Sequence, residues 1–256
     1  MQMLSAGEAK TILAQNRICT IVPSYNNCGT VADVVSRLLE YSDSIIVVND
    51  GSTDDTSRVL DGFKGRISVV SLSKNSGKGC ALKAGFAEAL RQGFDYAITL
   101  DSDGQHFPED IPLFVSAFLE NKGALIVGSR NLNADNMPKK NTFANNFSNF
   151  WFLVQTWNNL PDTQTGYRLY PLHRIGGLKL LTSRYEAELE MLVFTAWRGV
   201  KLKPLPINVY YPPAEKRVSH FRPFVDFTRI SILNTILCIF AILYGWPVTL
   251  YRRIFK

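Results

Sequence analysis

The 256-residue chain lacks the features that mark several large classes of protein. Its four cysteines are scattered, without the paired spacing of a zinc site or a disulfide framework, which favours a reducing compartment. Seventeen glycines and 12 prolines are ordinary numbers, so collagen-like and low-complexity chains are excluded. Residues 1–17 contain no apolar run, and we predict a polar lead-in there instead of a signal peptide.

Excess basic charge is absent from most of the chain and is concentrated at its end. The formal net charge is +6, but residues 201–256 hold nine Lys or Arg against two acidic residues, Glu215 and Asp226. The tail therefore carries +7 and the first 200 residues carry −1. A nucleic-acid-binding protein usually has its basic surface on the folded body, so we expect no nucleic-acid partner.

The same tail contains a long uncharged stretch. Residues 230–250 carry no charge and are followed by Arg252, Arg253 and Lys256. About 20 apolar residues span a bilayer, and basic residues beside an apolar helix are attracted to anionic lipid. We therefore expect a helix that lies in or crosses a membrane, with a buried core helix as the alternative.

Between the lead-in and the tail, short β-rich runs alternate with helical periodicity. Strands that alternate with helices of this length predict an α/β fold with a mostly parallel sheet covered by helices. The predicted strands are Cys19–Val22, Ser44–Asn49, Ser68–Leu72, Tyr96–Leu100, Leu125–Gly128, Arg168–Tyr170 and an edge strand, Lys203–Tyr211. The predicted helices are Thr30–Tyr41, Thr53–Gly62, Gly79–Gln92, Pro108–Asn121 and one around Glu186–Arg198.

Polar clusters follow the first, second and fourth strands, at the sheet edge where open α/β proteins bind ligands. The motif Asp101-x-Asp103-x-Gln105 follows the fourth strand, and alternate side chains leaving a strand point the same way. Carboxylate and amide oxygens suit Mg²⁺ or Mn²⁺ and leave positions for substrate phosphates. A solvated Asp-Gly turn is the simpler alternative, since acidic turns are common.

Two further clusters are less specific by themselves. Asp50 follows the second strand, where a carboxylate can accept hydrogen bonds from a nucleoside, and Ser52 with Asp55 predicts a capping box. The loop Asn75–Gly79 has neither a Walker A nor a dinucleotide-binding pattern, which disfavours P-loop ATPases and Rossmann dehydrogenases. Its glycines and Lys78 still predict an anion site at a helix start.

Five motifs in this order resemble those of a known family. They are Val22–Asn26, Val48–Asp54, Asn75–Gly79, Leu100–Pro108 and Gly128–Arg130. The set resembles the family-two glycosyltransferases of the GT-A fold, and among them the dolichyl- and polyprenyl-phosphate mannosyl- and glucosyltransferases. The resemblance covers roughly residues 18–229. It implies a GT-A domain over 18–222, with a Rossmann-like, mostly parallel sheet, and a membrane-associated or transmembrane helix within 223–256.

The resemblance also implies a GDP- or UDP-hexose donor and a divalent cation, Mg²⁺ or Mn²⁺. The metal ligands would be Asp101, Asp103 and Gln105. The nucleotide-sugar-binding residues would be Pro23, Tyr25, Asn27, Asp50, Lys78, Asp101 and Ser102. Arg130 and Arg168 would act with Asp103 as catalytic residues that neutralise phosphate charge. Two departures, Asn27 where relatives often have Glu and Asn49 where many have Asp, leave the identity of the base open.

The acceptor side is less well defined. A lipid phosphate brings an anionic oxygen and needs no general base, which fits the absence of a Ser-His-Asp or Cys-His set. A hydroxyl acceptor needs a carboxylate to take its proton, and Glu186 or Glu188 is the candidate, although acidic residues are also favoured at a helix start. A weaker acceptor-side set, for which a plain linker is the alternative, is Ser219, His220 and Arg222.

The predicted function is a metal-dependent inverting glycosyltransferase that moves a hexose from a nucleotide sugar to a membrane lipid, polyprenyl phosphate foremost. We expect the protein to be membrane-associated, with its catalytic domain on the cytoplasmic side. A glycosyltransferase with a hydroxyl acceptor and a catalytically silent nucleotide-binding membrane module are the alternatives. A nucleotidyltransferase shares the architecture but normally has a Gly-rich loop after its first strand, where this chain has Ser24–Asn27.

Overall fold

The computed structural model describes residues 4–131, 139–178, 180–210 and 223–255. Within them, one seven-stranded sheet has the order β3-β2-β1-β4-β6-β5-β7. The strands are β1 Ile18–Ser24, β2 Ile45–Asn49, β3 Ser68–Ser71, β4 Tyr96–Thr99, β5 Leu125–Ser129, β6 Arg168–Pro171 and β7 Leu202–Pro206. β6 is antiparallel to β4 and β5, and the other pairings are parallel. The prediction of a mostly parallel sheet is confirmed.

Helices connect and cover the strands. They are α1 Ala6–Gln15, α2 Val31–Tyr41, α3 Thr56–Asp61, α4 Lys78–Arg91, α5 Ile111–Glu120, α6 Lys139–Thr156, α7 Leu172–Ile175, α8 Glu186–Trp197, α9 Pro223–Phe240 and α10 Trp246–Phe255. A single 3₁₀ turn, Pro108–Asp110, precedes α5. The predicted edge strand is found as β7, but it ends at Pro206, and beyond it Val209 forms only an isolated bridge with His106.

The core is divided by the sheet because successive strand residues point to opposite faces. In β1, Ile18 and Val22 pack into the core under α1, α2 and α5, while Cys19 and Ile21 pack into the core under α4 and α8. All seven residues of β1 are buried, as expected for a central strand covered on both faces.

Two helix starts differ from the sequence-based expectation. The lead-in contains α1, whose amino end has a capping box between Ser5 and Glu8. The predicted capping box between Ser52 and Asp55 is wrong, because α3 begins only at Thr56. The Ser52 hydroxyl accepts the backbone N–H of Asn26 instead, so it joins two strand ends and caps no helix.

The apolar tail forms a nearly continuous helix in which a π-helical turn, Ala241–Gly245, joins α9 to α10. Residues Val225–Phe255 are long and apolar enough to cross a membrane, with a mean hydropathy of 1.8 over the most apolar window. One side of the helix, including Leu233, Leu237 and Ala241, is buried in the core under α8. Only 22% of that window is buried, which is far from the enclosure of a core helix.

Candidate functional site

The polar clusters that follow β1, β2 and β4 meet at one edge of the sheet, as predicted. Because these strands are parallel neighbours, their carboxyl ends lie side by side. The Asn26 backbone N–H donates to the Ser52 hydroxyl at 3.0 Å, and the Asn27 amide donates to the Ser102 hydroxyl at 2.6 Å. Pro23 is buried in β1, and Tyr25 follows at the rim, partly buried. We call this edge the carboxyl rim.

Asp50 holds the loop before α4 in place. Its two carboxylate oxygens accept the backbone N–H groups of Ser76 at 2.7 Å and Gly77 at 2.8 Å. Burial raises the pKa of Asp50, and these two hydrogen bonds partly oppose the rise. The expected nucleoside-binding carboxylate is therefore already engaged by the chain itself.

The glycines at the start of α4 have a packing role. A Cβ on Gly79 would clash with the Cβ of Ala187 and would lie 2.9 Å from the Ser183 carbonyl oxygen. The Cys80 N–H donates to that same oxygen at 3.0 Å. The prediction of free N–H groups for an anion is thus wrong for Ser76, Gly77 and Cys80, because Asp50 and Ser183 accept their protons.

Lys78 joins the carboxyl rim to α8. Its ammonium lies 2.6 Å from an Asp101 carboxylate oxygen and 2.9 Å from a Glu188 carboxylate oxygen. Burial alone lowers the pKa of Lys78, but the two carboxylates outweigh it and raise the pKa, so the ammonium stays charged. Gly166 closes the cluster from the β6 side, since a Cβ there would lie 2.7 Å from the Lys78 nitrogen and 2.8 Å from Asp101.

Asp101 and Asp103 provide the donor set expected for a divalent cation. Burial and the neighbouring Asp101 raise the pKa of Asp103 to about 6. Burial also acts on Asp101, but the Lys78 ammonium outweighs it and lowers the pKa of Asp101. A carboxylate whose pKa is raised by a neighbouring carboxylate is one whose ionised form a cation would stabilise, and Gln105 follows at the same turn.

Arg130 lies at the end of β5, where it is held by a carboxylate that sequence reasoning missed. Its guanidinium donates to both oxygens of Asp162, at 2.6 and 3.0 Å, and Asp162 is buried. Asp162 also accepts the Asn145 amide at 2.7 Å, which ties α6 to the same pair. Burial raises the pKa of Asp162, but Arg130 lowers it below its ordinary value, so the pair is ionic.

Arg168, predicted to neutralise phosphate charge, lies inside the protein. It is fully buried, and its guanidinium donates to the carbonyl oxygens of Thr163, Thr165 and Glu188 and to the Tyr170 hydroxyl. The prediction that it neutralises a substrate phosphate does not agree with this enclosure. Arg168 instead fixes the loop before β6 against α8.

The acceptor-side candidates on α8 are both engaged in ion pairs. Glu188 binds Lys78, and buried Glu186 accepts two hydrogen bonds from Arg229 of α9, at 2.6 and 2.9 Å. The other predicted acceptor residues, Ser219, His220 and Arg222, lie outside the described residues. His106 is buried against Tyr167, and burial lowers its pKa to about 4, so it is neutral near pH 7.

Three residues of the site were absent from the sequence-based set: Asp162, Gly166 and Arg229. No sequence pattern distinguishes Asp162 from an ordinary surface acidic residue, Gly166 from an ordinary turn glycine, or Arg229 from a basic residue at a helix end. The two departures from the family pattern have local partners, because the Asn27 amide binds Ser102 and the Asn49 amide donates to Ser57 at 2.9 Å.

A separate groove of about 410 Å³ lies at the other end of α8. It is lined by Leu178, Phe194, Trp197, Arg198, Phe240 and Tyr244. None of these residues belongs to the carboxyl rim, so the groove is distinct from the carboxylate site.

The chain is similar to known proteins of one family. The model of the family described as "Glycosyl transferase family 2" matches residues 19–174, more than half of the chain. A UDP-N-acetylglucosamine–dolichyl-phosphate N-acetylglucosaminyltransferase of Methanococcus voltae is 27% identical over 220 residues, which cover 78% of this chain and 88% of the relative. An undecaprenyl-phosphate mannosyltransferase of Micrococcus luteus is 27% identical over 203 residues, covering 75% and 83%.

Solved structures share the fold. Glucosyl-3-phosphoglycerate synthase from Mycobacterium tuberculosis, in complex with Mn²⁺, UDP-glucose and phosphoglyceric acid, superposes with a TM-score of 0.70. The sequences are 19% identical, and the alignment covers 94% of this chain and 85% of that one. The expected GT-A fold is thereby confirmed.

Proposed function

The chain belongs to glycosyl transferase family 2, and from this premise we propose that it transfers a hexose from UDP- or GDP-hexose to a polyprenyl phosphate. The transfer depends on Mg²⁺ or Mn²⁺ and inverts the anomeric centre. Residues 18–222 form the catalytic domain on the cytoplasmic side, residues 1–17 lead into it, and the tail of residues 223–256 associates with the membrane. The two relatives above, named for transfer to dolichyl and undecaprenyl phosphate, support a lipid acceptor.

The observation that carries the proposal is the amino end of α8. Glu188 contacts Lys78, which contacts Asp101, while Glu186 contacts Arg229 of the apolar helix. The two glutamates are two residues apart, about 3 Å along the helix axis. The carboxylate site and the start of the apolar helix therefore contact the same turn of α8, on different sides of it. In this proposal the lipid phosphate approaches Asp101 while its chain lies along the apolar helix.

The chain supplies positioning and charge for a single displacement. A phosphate oxygen of the acceptor forms a bond to the anomeric carbon, and the bond from that carbon to the donor diphosphate breaks on the opposite face. The nucleoside diphosphate leaves with the electron pair. Asp101, Asp103 and Gln105 would hold a divalent cation, which would supply positive charge to stabilise this leaving group. Lys78 orients Asp101, and Asp162 orients Arg130 at the rim.

An anionic acceptor also fits the state of the glutamates. A hydroxyl acceptor requires a carboxylate that is free to take a proton. Glu186 and Glu188 each already bind a cation, Arg229 and Lys78 respectively. A phosphate oxygen, ionised near neutral pH, needs no such base.

The test is a transfer assay with the full chain in detergent. UDP- and GDP-hexoses are supplied with undecaprenyl or dolichyl phosphate, with Mg²⁺, Mn²⁺ or EDTA. We expect cation-dependent release of nucleoside diphosphate, a hexosyl phospholipid by mass spectrometry, and inversion by NMR of the product. Nucleotide binding without turnover with any donor would overturn the proposal in favour of a silent module, and transfer only to alcohols would overturn the phosphate acceptor.

A further inference from the structure

The C-terminal helix is attached to the catalytic domain along almost its whole length. Near its start, Arg229 binds Glu186, and one turn further Asn234 accepts the Gln155 amide at 3.0 Å. Near its end, the Trp246 indole donates to the Val154 carbonyl at 2.9 Å, and Arg252 donates to the Trp197 carbonyl. The helix therefore does not project away from the domain.

The π-helical turn keeps this attachment continuous. The residues that face the domain are spaced four apart, at Leu233, Leu237, Ala241 and Gly245. In an α-helix a spacing of four drifts around the axis, and the wider π-helical turn offsets that drift. Gly245 then lies directly against the indole of Trp197, where a Cβ would clash.

The opposite side of the helix is apolar and exposed. It carries Val225, Phe227, Ile232, Ile239, Ile242, Leu243, Leu250, Tyr251, Ile254 and Phe255, whereas the exposed Phe240 and Tyr244 lie at the domain side and line the groove beside α8. α6 continues this surface with Phe150, Leu153 and Trp157, which are spaced as one helix face. The two helices meet where Trp157 stacks on Trp246, with ring centroids 5.8 Å apart. We call these exposed side chains of α6 and α9–α10 the docking face.

Attachment along the length conflicts with a helix that crosses a bilayer. If this helix spanned the membrane, α6, α8 and the sheet behind them would enter the hydrocarbon beside it. The exposed charged side chains at the far end of α8, Arg198 and Lys201, would enter with them. Charged groups and irregular backbone are excluded from lipid-exposed hydrocarbon, so the folded domain is incompatible with that orientation.

The residues at the edge of the docking face indicate that a lipid surface covers it. Arg253 is exposed at its edge, with the guanidinium over the Trp157 ring at 5.4 Å from the centroid. An arginine and tryptophans beside exposed aliphatic side chains are the composition of a surface at the lipid headgroup level. The last turn of α10 carries Arg252 and Arg253, and basic residues beside an apolar helix favour anionic lipid.

We propose that the docking face inserts in the plane of an anionic bilayer, into one leaflet, and that the C-terminal helix does not cross the membrane. The inference depends on the proposed function in one respect only, which is that the lipid acceptor lies in the membrane. Docking itself needs no donor, so it is measured independently of sugar transfer.

Topology is tested with the full chain carrying a protease-cleavable epitope tag before Met1 or after Lys256, expressed in cells and examined in sealed inside-out vesicles. In-plane docking predicts that external protease removes both tags. Protection of the second tag alone would show a spanning helix and would overturn the proposal.

Binding is tested by flotation with phosphatidylcholine vesicles, with and without phosphatidylglycerol. Leu243→Arg, at a side chain that is 72% exposed, is expected to weaken binding by about tenfold or more. The matched control is Val69→Arg on β3, whose side chain is 43% exposed outside the docking face and which should bind like the wild type. Equal loss in both variants, or a dimer that Leu243→Arg dissociates without vesicle binding by the wild type, would overturn the proposal.

The same variant separates the two proposals. Leu243→Arg should retain transfer to a water-soluble, short-chain isoprenyl phosphate, since the carboxyl rim is unchanged. Loss of vesicle binding with retained transfer supports docking by this face. Vesicle binding by the wild type without transfer to any acceptor would leave docking intact and overturn the proposed function.

Discussion

The two ends of α8 contact their neighbours through different kinds of interaction. At the amino end, buried Glu186 and Glu188 each bind a cation from another element, Arg229 or Lys78. At the carboxyl end, Trp197 packs by shape against Gly245 and donates one hydrogen bond, to the Gln155 carbonyl at 2.9 Å. The first end lies at the carboxyl rim and the second holds the apolar helix.

The ion pairs at the amino end of α8 support the reaction, whereas the packing at its carboxyl end attaches the C-terminal helix. Ion pairs in a buried site depend strongly on distance and leave an uncompensated charge when one partner is removed. An aromatic contact against a glycine depends on volume and responds to an added methyl group. Changes at the amino end should therefore alter transfer, and changes at the carboxyl end should alter stability.

The largest effect is expected at the carboxyl rim itself. Asp103→Asn should lower kcat/KM for transfer by roughly 10²–10³-fold, because the site loses a carboxylate that would hold the cation stabilising the leaving group. Vesicle binding should be unchanged, since Asp103 is not one of the exposed apolar side chains of the docking face. The check is release of nucleoside diphosphate beside flotation, and retention of full activity would remove Asp103 from the mechanism.

Lys78→Met should have the next largest effect. It leaves the partly buried Asp101 and the buried Glu188 without their shared cation, and we expect transfer to fall by about 10–100-fold. Glu188→Gln should cost less than tenfold, roughly, because the amide oxygen still accepts a hydrogen bond from Lys78. The exposed Lys64→Met is the matched control.

These glutamate and lysine variants also test the role of Glu188. If Glu188 were a general base, Glu188→Gln would be as inactive as Asp103→Asn and would lose the acidic limb of the pH–rate profile, which reports protonation of the base. As a positioning residue, Glu188 should leave the shape of that profile intact. Steady-state rates from pH 5.5 to 8.5 distinguish the two outcomes.

The packing at the carboxyl end of α8 is tested by adding a methyl group at Gly245. Gly245→Ala places a methyl group into the Trp197 indole and should lower the free energy of unfolding by about 1–3 kcal/mol. Transfer per folded molecule should be unchanged. Gly7→Ala in α1, where nothing lies within 4 Å of the added carbon, should instead stabilise by about 0.5–1 kcal/mol. Thermal unfolding of both variants measures the difference, and equal shifts would contradict the packing argument.

The smallest expected effect is a pH dependence at the carboxyl rim. The pKa of Asp103 is about 6, above the ordinary value of 3.8, so the folded state binds its proton more tightly than the unfolded state. Protonation therefore favours the folded state, and this contribution grows as the pH falls from about 6 towards 4. In EDTA, Asp103→Asn should be more stable than the wild type at pH 7.5, and the difference in Tm should shrink by pH 5.

A divalent cation should reverse the order of stability of the wild type and Asp103→Asn at pH 7.5. Because a cation binds the ionised carboxylates, Mg²⁺ or Mn²⁺ should raise the Tm of the wild type at pH 7.5 and raise it less at pH 5. Asp103→Asn should show little response at either pH. A cation effect that is equal in both proteins would locate the cation elsewhere.

Local patterns were sufficient for most of the sheet. The apolar runs of β1 and β2 and the helical periodicity between them predicted the elements to within a few residues, because burial on two faces requires near-continuous apolar strands. Parallel order then brings Asn26, Asp50 and Asp101 to one edge. α1 was missed, although the Ser5–Glu8 pattern of a capping box is present in the sequence.

Only the tertiary structure decided which charged groups meet. Lys78 lies between Asp101 and Glu188, which are distant in the chain, and no periodicity encodes that contact. The enclosure of Arg168 and the engagement of Asp50 by backbone N–H groups likewise depend on how loops pack. For the C-terminal helix, hydropathy determined its length and apolar character, because these follow from composition. Its attachment along α6 and α8 was decided by side chains far apart in the sequence, since only tertiary contacts fix the orientation of a helix relative to the rest of the domain.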